Sequence, residues 1–284
     1  MALLGLVLIA IGLADLIAGG LGGICAGSSV RRRVAWLAAT IVILVPALDS
    51  EGPRAAWLVF GLTEVVAIGL WLELRPMGSA IGEPRSDQRL EPRERRAIGV
   101  ALTALIVALL LAFAVAHWPN LAPASAAERV EMGQLASWSD WNVGVQAILC
   151  LAGVLFVLGA TGNAVVRSVL ALAEVQLTRD IPALKGGRFI GLFERCLIVG
   201  LAQADLTAAA LVVSAKSLLR FPEVSHYGAG NEAATSPAET ARARPSLAEL
   251  TEYFLLGSLV SWTVALILVP IARQAIEVLL PSRP

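Results

Sequence analysis

Three acids stand inside long apolar runs of this 284-residue chain: Asp15, Glu64 and Asp205. An ionisable side chain at the centre of a membrane helix costs about 2.5–3.5 kcal/mol on insertion scales, so its presence points to a role. Each acid falls near the middle of its run, which places all three at similar depth, with no Lys or Arg expected there to neutralise them. The neutral carboxylic acid is the default state of such a group. Gln203 and Thr207 flank Asp205, and Thr63 adjoins Glu64. One reading is a proton- or cation-binding site between helices, formed by Asp15, Glu64, Asp205 and Gln203. The other is that each acid is protonated and hydrogen-bonds a neighbouring helix as a packing contact. Packing is the expectation, because no paired broken helices or inverted repeat accompany the acids.

A second set of charges brackets the apolar stretch Gly186–Phe221. Glu194 and Arg195, with Arg188 just before them, mark one end, and Lys216 and Arg220 mark the other. At about 1.5 Å per helical residue, Glu194 and Lys216 lie roughly 33 Å apart, about one hydrocarbon thickness. Lys216 and Arg220 are one turn apart and share a face. Glu252 opens the next run on the same side, and Arg273 closes it on the side of Arg188, Glu194 and Arg195. These residues are expected to form two interfacial ion-pair clusters that fix helix register, their long side chains snorkelling to water. A headgroup or anion site on Lys216 and Arg220 is the alternative.

Catalytic signatures are missing: there is no HExxH, GxSxG, Walker loop or GxGxxG. Cys25, Cys150 and Cys196 are scattered through apolar sequence, with no Cys/His cluster for zinc or iron–sulfur. His117 and His226 fall in loops with no obvious acid or nucleophile partner. No enzyme activity, cofactor or metal is therefore expected. A net charge of zero gives no footing for nucleic-acid binding.

The elements that must position these groups follow from composition. Hydrophobic residues make up 57% and charged residues 15% of the chain, and the mean hydropathy is +0.75. That balance predicts an all-α, polytopic helix bundle in a membrane. Apolar runs cover about Leu3–Cys25, Val34–Leu48, Ala55–Leu74, Ile98–Ala116, Val143–Val165, Phe189–Val213 and Tyr253–Ala272, which predicts about seven spans. The second is short and ends near Pro46, the pattern of a tilted or re-entrant helix. The N-terminal run lacks a basic leader and a cleavage signal, and Ile24 before Cys25 departs from a lipobox, so a retained helix is expected.

Orientation follows Lys and Arg. Arg31–Arg33, the six arginines from Arg75 to Arg96, the group from Arg167 to Arg195, and Arg273 with Arg283 fall on one side of a seven-span layout. The predicted arrangement is N-terminus out and C-terminus in. Residues 1–97 then form an N-terminal membrane region with a basic cytoplasmic loop. Residues 98–147 hold the fourth span and an outer loop with Trp118, Trp138 and Trp141 at the interface. Residues 148–284 form a C-terminal membrane module with a mobile linker at 226–245, after which Ser246-Leu-Ala-Glu249 matches a capping box. The GxxxG pairs Gly19/Gly23 and Gly187/Gly191 permit close helix approach.

Within that module, Gly187-Arg188-Phe-Ile-Gly191 with Glu194-Arg195, Ala215-Lys216-Ser217 with Arg220-Phe221, and Glu252-Tyr253-Phe-Leu-Leu-Gly257 are charges at fixed distances around apolar runs. From about residue 148 to 273 the chain resembles the C-terminal membrane module of a bacterial family of integral membrane proteins of unknown function. The resemblance implies a location and a fold segment, without an activity. The function expected is a non-enzymatic scaffold or accessory subunit of a bacterial cytoplasmic-membrane assembly. Its partners are the lipid bilayer and either a second copy or another membrane protein. Proton- or cation-coupled transport through the carboxylates is the alternative, and lipid-headgroup binding or modification the weaker one.

Overall fold

The fold is a computed structural model that describes residues 2–19, 28–48, 54–75, 91–117, 136–173, 187–211, 213–215 and 247–280. Among the described residues the regular structure is helical, without a strand. The helices are α1 (Ala2–Ala18), α2 (Ser28–Leu48), α3 (Arg54–Leu74), α4 (Pro92–His117) and α5 (Ala136–Phe156). A π-helical segment, Val157–Thr161, leads from α5 into α6 (Gly162–Leu172). Then come α7 (Gly187–Ala204), α8 (Leu206–Ala215) and α9 (Leu247–Leu279).

Among the described residues three stretches are long and apolar enough to cross a membrane: Pro92–Val115, Val143–Leu172 and Thr251–Leu279. Each of the other predicted runs also coincides with a helix, but polar residues or glycine alter it. α1 stops at Ala18, where Gly19 closes the last turn through its N–H on the Asp15 carbonyl at 2.8 Å. Glycine in the following sequence costs a continuing helix backbone entropy. α2 is longer than its apolar run because Arg31–Arg33 join its first turns. Its 21 residues extend about 31 Å.

The chain forms two compact units. The first contains Met1–Met77, Arg96–Thr161 and Pro270–Pro284. Its core is α1, whose Leu4, Val7, Leu8, Ile11 and Ala14 are almost fully buried. α1 runs parallel to α5: Gly5 lies against Cys150, Leu8 against Gly153, and Gly12 against Phe156. A Cβ on Gly12 would stand 2.4 Å from the Phe156 Cβ, and one on Gly153 2.6 Å from the Leu8 Cβ. Bare backbone is what lets these two helices meet. α2 and α3 pair antiparallel: Arg32 reaches Glu73, Trp36 reaches Val65, and Gly61 abuts Ile43 and Leu44. The C-terminal ends of α1 and α3 and the N-terminal end of α2 therefore share one arginine-rich end.

The second unit contains Gly78–Arg95 and Gly162–Val269. Its helices are α6, α7, α8 and the part of α9 before Pro270. Pro270 carries no N–H for the Leu266 carbonyl, which loosens the α9 ladder at the unit boundary. Gly257 of α9 faces Val166 and Leu170 of α6 within 3.8 Å of where a Cβ would stand.

Candidate functional site

Glu64, Ile68, Trp71 and Arg75 follow one another at helical spacings of four, three and four, so they form one stripe along α3. The stripe faces α1. The Trp71 indole N–H donates to Asp15 Oδ1 at 2.9 Å, and Arg75 Nη1 pairs with the same oxygen. The Arg75 guanidinium also lies over the Trp71 ring, 5.3 Å from its centroid. The pair is dry: the Arg75 side chain is 5% exposed and that of Asp15 0%.

This corrects the expectation that no basic residue neutralises Asp15. The reason is the length of α1. Because the helix ends at Ala18, Asp15 sits in its last turn and not at mid-run, level with the end of α3 where Arg75 follows Leu74.

Glu64 lies further into the same stripe. It is fully buried, and neither carboxylate oxygen has a hydrogen-bond partner among the described residues. Neighbouring Thr63 is exposed and donates its hydroxyl to the Val59 carbonyl at 2.8 Å. At the margin of the unit, Arg32 Nη1 and Glu73 Oε2 meet at 3.1 Å. The Trp36 indole N–H donates to the Val65 carbonyl at 3.2 Å. These contacts fix the register of α2 on α3.

In the second unit the polar centre is Arg195, only 1% exposed. Its Nη1 donates to Ser261 Oγ at 3.0 Å and its Nη2 to Asn163 Oδ1 at 2.7 Å. Glu194, also buried, accepts the Trp262 indole N–H at 2.6 Å. α7 is thereby tied to α6 and α9. Gly191, one turn before Arg195, leaves room for the guanidinium: a Cβ there would lie 3.6 Å from Nη1 and 3.7 Å from Asn163 Oδ1. The sequence placed Glu194 and Arg195 in an interfacial cluster, whereas here they are interior groups with partners supplied by two other helices.

Asp205 differs again from its expected place. The run Phe189–Val213 is not one unbroken helix, because Asp205 separates α7 from α8 and is exposed. Its Oδ1 accepts the Thr207 N–H at 2.9 Å, and its carbonyl accepts the Ala208 N–H at 3.1 Å. That is an N-cap, the role a short acidic side chain fills when it competes with the helical ladder. Gln203 donates to the Val199 carbonyl at 2.9 Å within α7.

Asp15 and Glu64 thus share the first unit, while Asp205 and Gln203 belong to the second. Of the remaining charge-cluster residues, Glu252 and Arg273 are exposed and Arg188 lies in the first turn of α7. Lys216, Arg220 and the linker 226–245 lie outside the described residues. No group of three His, Cys, Asp or Glu residues able to hold a metal occurs among the described residues.

Sequence reasoning missed Trp71, Arg75, Asn163, Ser261 and Trp262 as site residues. The Glu64–Arg75 stripe was visible as a helical repeat, but the pairing of α7 with α6 and α9 left no local signal. No family model, curated protein or solved structure matches the chain.

Proposed function

We propose that the protein is a non-enzymatic, multi-pass component of a bacterial cytoplasmic-membrane assembly, with seven spans, N-terminus out and C-terminus in. The observation that carries this reading is the use made of the buried charges. Asp15 and Arg75 lock α1 to α3, and Glu194 and Arg195 lock α7 to α6 and α9. Such contacts fix helix register, the work expected of polar groups in a scaffold. Asp205 caps a helix and Asp15 pairs with Arg75, contacts that favour packing over a shared ion site of the three acids and Gln203.

The topology is supported by the parallel α1 and α5 and the antiparallel α2 and α3, which suit one crossing per helix. The shared end carrying Arg31, Arg32, Arg33 and Arg75 suits the cytoplasmic face. Outward-facing Val59, Leu62, Val66 and Leu70 of α3 offer an apolar surface to lipid or to a partner chain. Kinship of the C-terminal module with the bacterial membrane-protein family rests on the spacing of its charges and belongs to this proposal.

Mild-detergent purification after cross-linking in intact membranes tests the function. A discrete assembly with a second copy or another membrane protein is expected, and recovery of a lone monomer under both conditions refutes it. Single-cysteine accessibility in the segments 76–90 and 118–135 tests the topology. The first should be shielded from an external impermeant reagent and the second labelled.

A further inference from the structure

The charge balance inside the first unit leaves one group unaccounted for. Among the described residues its buried acidic and basic side chains are Asp15, Glu64 and Arg75. Arg75 is in direct contact with Asp15, so that pair is neutral as it stands. A second buried negative charge on Glu64 would have no hydrogen bond from any described residue to hold it. An ionised carboxylate in such a place costs far more than a neutral one.

We propose that Glu64 is a membrane-embedded proton-binding site, distinct from the assembly contacts, which holds one exchangeable proton. A bound proton satisfies the charge balance without further ligands. A metal cation would need several oxygen donors around it, and both Glu64 oxygens lack polar neighbours within hydrogen-bond reach among the described residues.

The helices packed on α3 define what else can act on the site. α1 contributes Asp15 and no other charge. α2 contributes Arg31, Arg32 and Arg33, all in its first turns. Because α2 runs antiparallel to α3 and Arg32 meets Glu73, these arginines lie toward the Glu73 end, about 13 Å along the axis from Glu64. On α3 itself, Glu73 is exposed and paired with Arg32. Arg54 opens the helix at the opposite end, ten residues before Glu64 and about 15 Å along the axis. Arg75 shares the Glu64 face three turns on, about 16 Å along the axis, and is held in direct contact by Asp15. No cation therefore stands beside Glu64 among the described residues, and a proton is what balances its charge.

Two measurements on the full-length protein in liposomes test this. A hydrophobic carbodiimide adds the O–H of a carboxylic acid across one C=N bond, giving an O-acylisourea that rearranges to a stable N-acylurea with nothing lost. The adduct should map by peptide mass spectrometry to Glu64, and labelling should fall about tenfold per pH unit above the midpoint. Infrared difference spectra of the wild type should show a protonated carboxyl band that shifts in deuterated water and declines with rising pH. Glu64→Gln should abolish both signals.

Carbodiimide labelling confined to other acids, together with no pH-dependent carboxyl band, overturns the proposal. So does a Glu64 band that neither shifts in deuterated water nor changes with pH, since the proton would then be permanent. The wild-type readings decide the matter even where the variant does not fold. Neither depends on the oligomeric state, so failure here leaves the assembly reading standing, and the reverse also holds.

Discussion

Removing Asp15 and Arg75 singly and together measures whether their contact fixes the first unit. Both side chains are dry, at 0% and 5% exposure, so solvent cannot replace a lost partner. Asp15→Asn preserves an acceptor for the Trp71 indole and removes only the charge. It leaves a guanidinium that stays protonated in proteins buried without its carboxylate. Breaking one side of such a pair costs about 3–5 kcal/mol. Hydrogen bonding alone between membrane helices averages about 0.6 kcal/mol, so the charge should dominate.

Arg75→Met leaves the buried Asp15 carboxyl without its cation, and a loss of the same order is expected. The double variant Asp15→Asn/Arg75→Met buries no unpaired charge and should lie well above the sum of the singles. The assay is thermal unfolding in mild detergent, where the Asp15→Asn loss corresponds to a fall of Tm of the order of 10 °C. Singles that add to the double within about 0.5 kcal/mol would refute the coupling, as would an unchanged Tm for Asp15→Asn.

Gly12→Ala should destabilise by about 1–3 kcal/mol, because its Cβ would stand 2.4 Å from that of Phe156 and 2.8 Å from backbone; denaturation in detergent checks it. Arg195→Met should strand the half-buried Asn163 and buried Ser261 acceptors and lower Tm, while Gly191→Ala beside it should be nearly silent because its new contacts are ordinary at 3.6–3.8 Å. Asp205→Asn should leave stability within a few tenths of a kcal/mol, and Asp205→Ala should cost about 0.5–2 kcal/mol, measured by the same unfolding assay. Arg32→Gln should change stability by less than about 1 kcal/mol, since the Glu73 side chain is 60% exposed.

The helical fold was legible because apolar run length and helix formation are local properties. Every run drawn from sequence overlaps helix, though Phe189–Val213 is divided at Asp205, and Glu64 was recognised as an acid in an apolar setting. What was misread came from helix ends. Drawing the first run to Cys25 put Asp15 at mid-depth and hid its neighbour at the end of α3. Treating Phe189–Val213 as continuous hid the Asp205 cap, although an Asp within an apolar run followed by Thr207 is a helix-start pattern.

The sequence by itself determined that the chain is helical and built for an apolar medium, since hydrophobic content and run length follow from residue type alone. It also set acids within apolar runs, but not which would be buried or how each would be accommodated. That was decided by tertiary structure: Asp15 and Trp71 stand 56 residues apart and Arg195 and Ser261 66 apart, and only the register of packed helices brings them together. The same register gives Asp15 a cation and leaves Glu64, on the same stripe as that cation, without a hydrogen bond from any described residue. A charge in a dry interior depends on what lies within a few ångströms of it, and helix packing sets those neighbours.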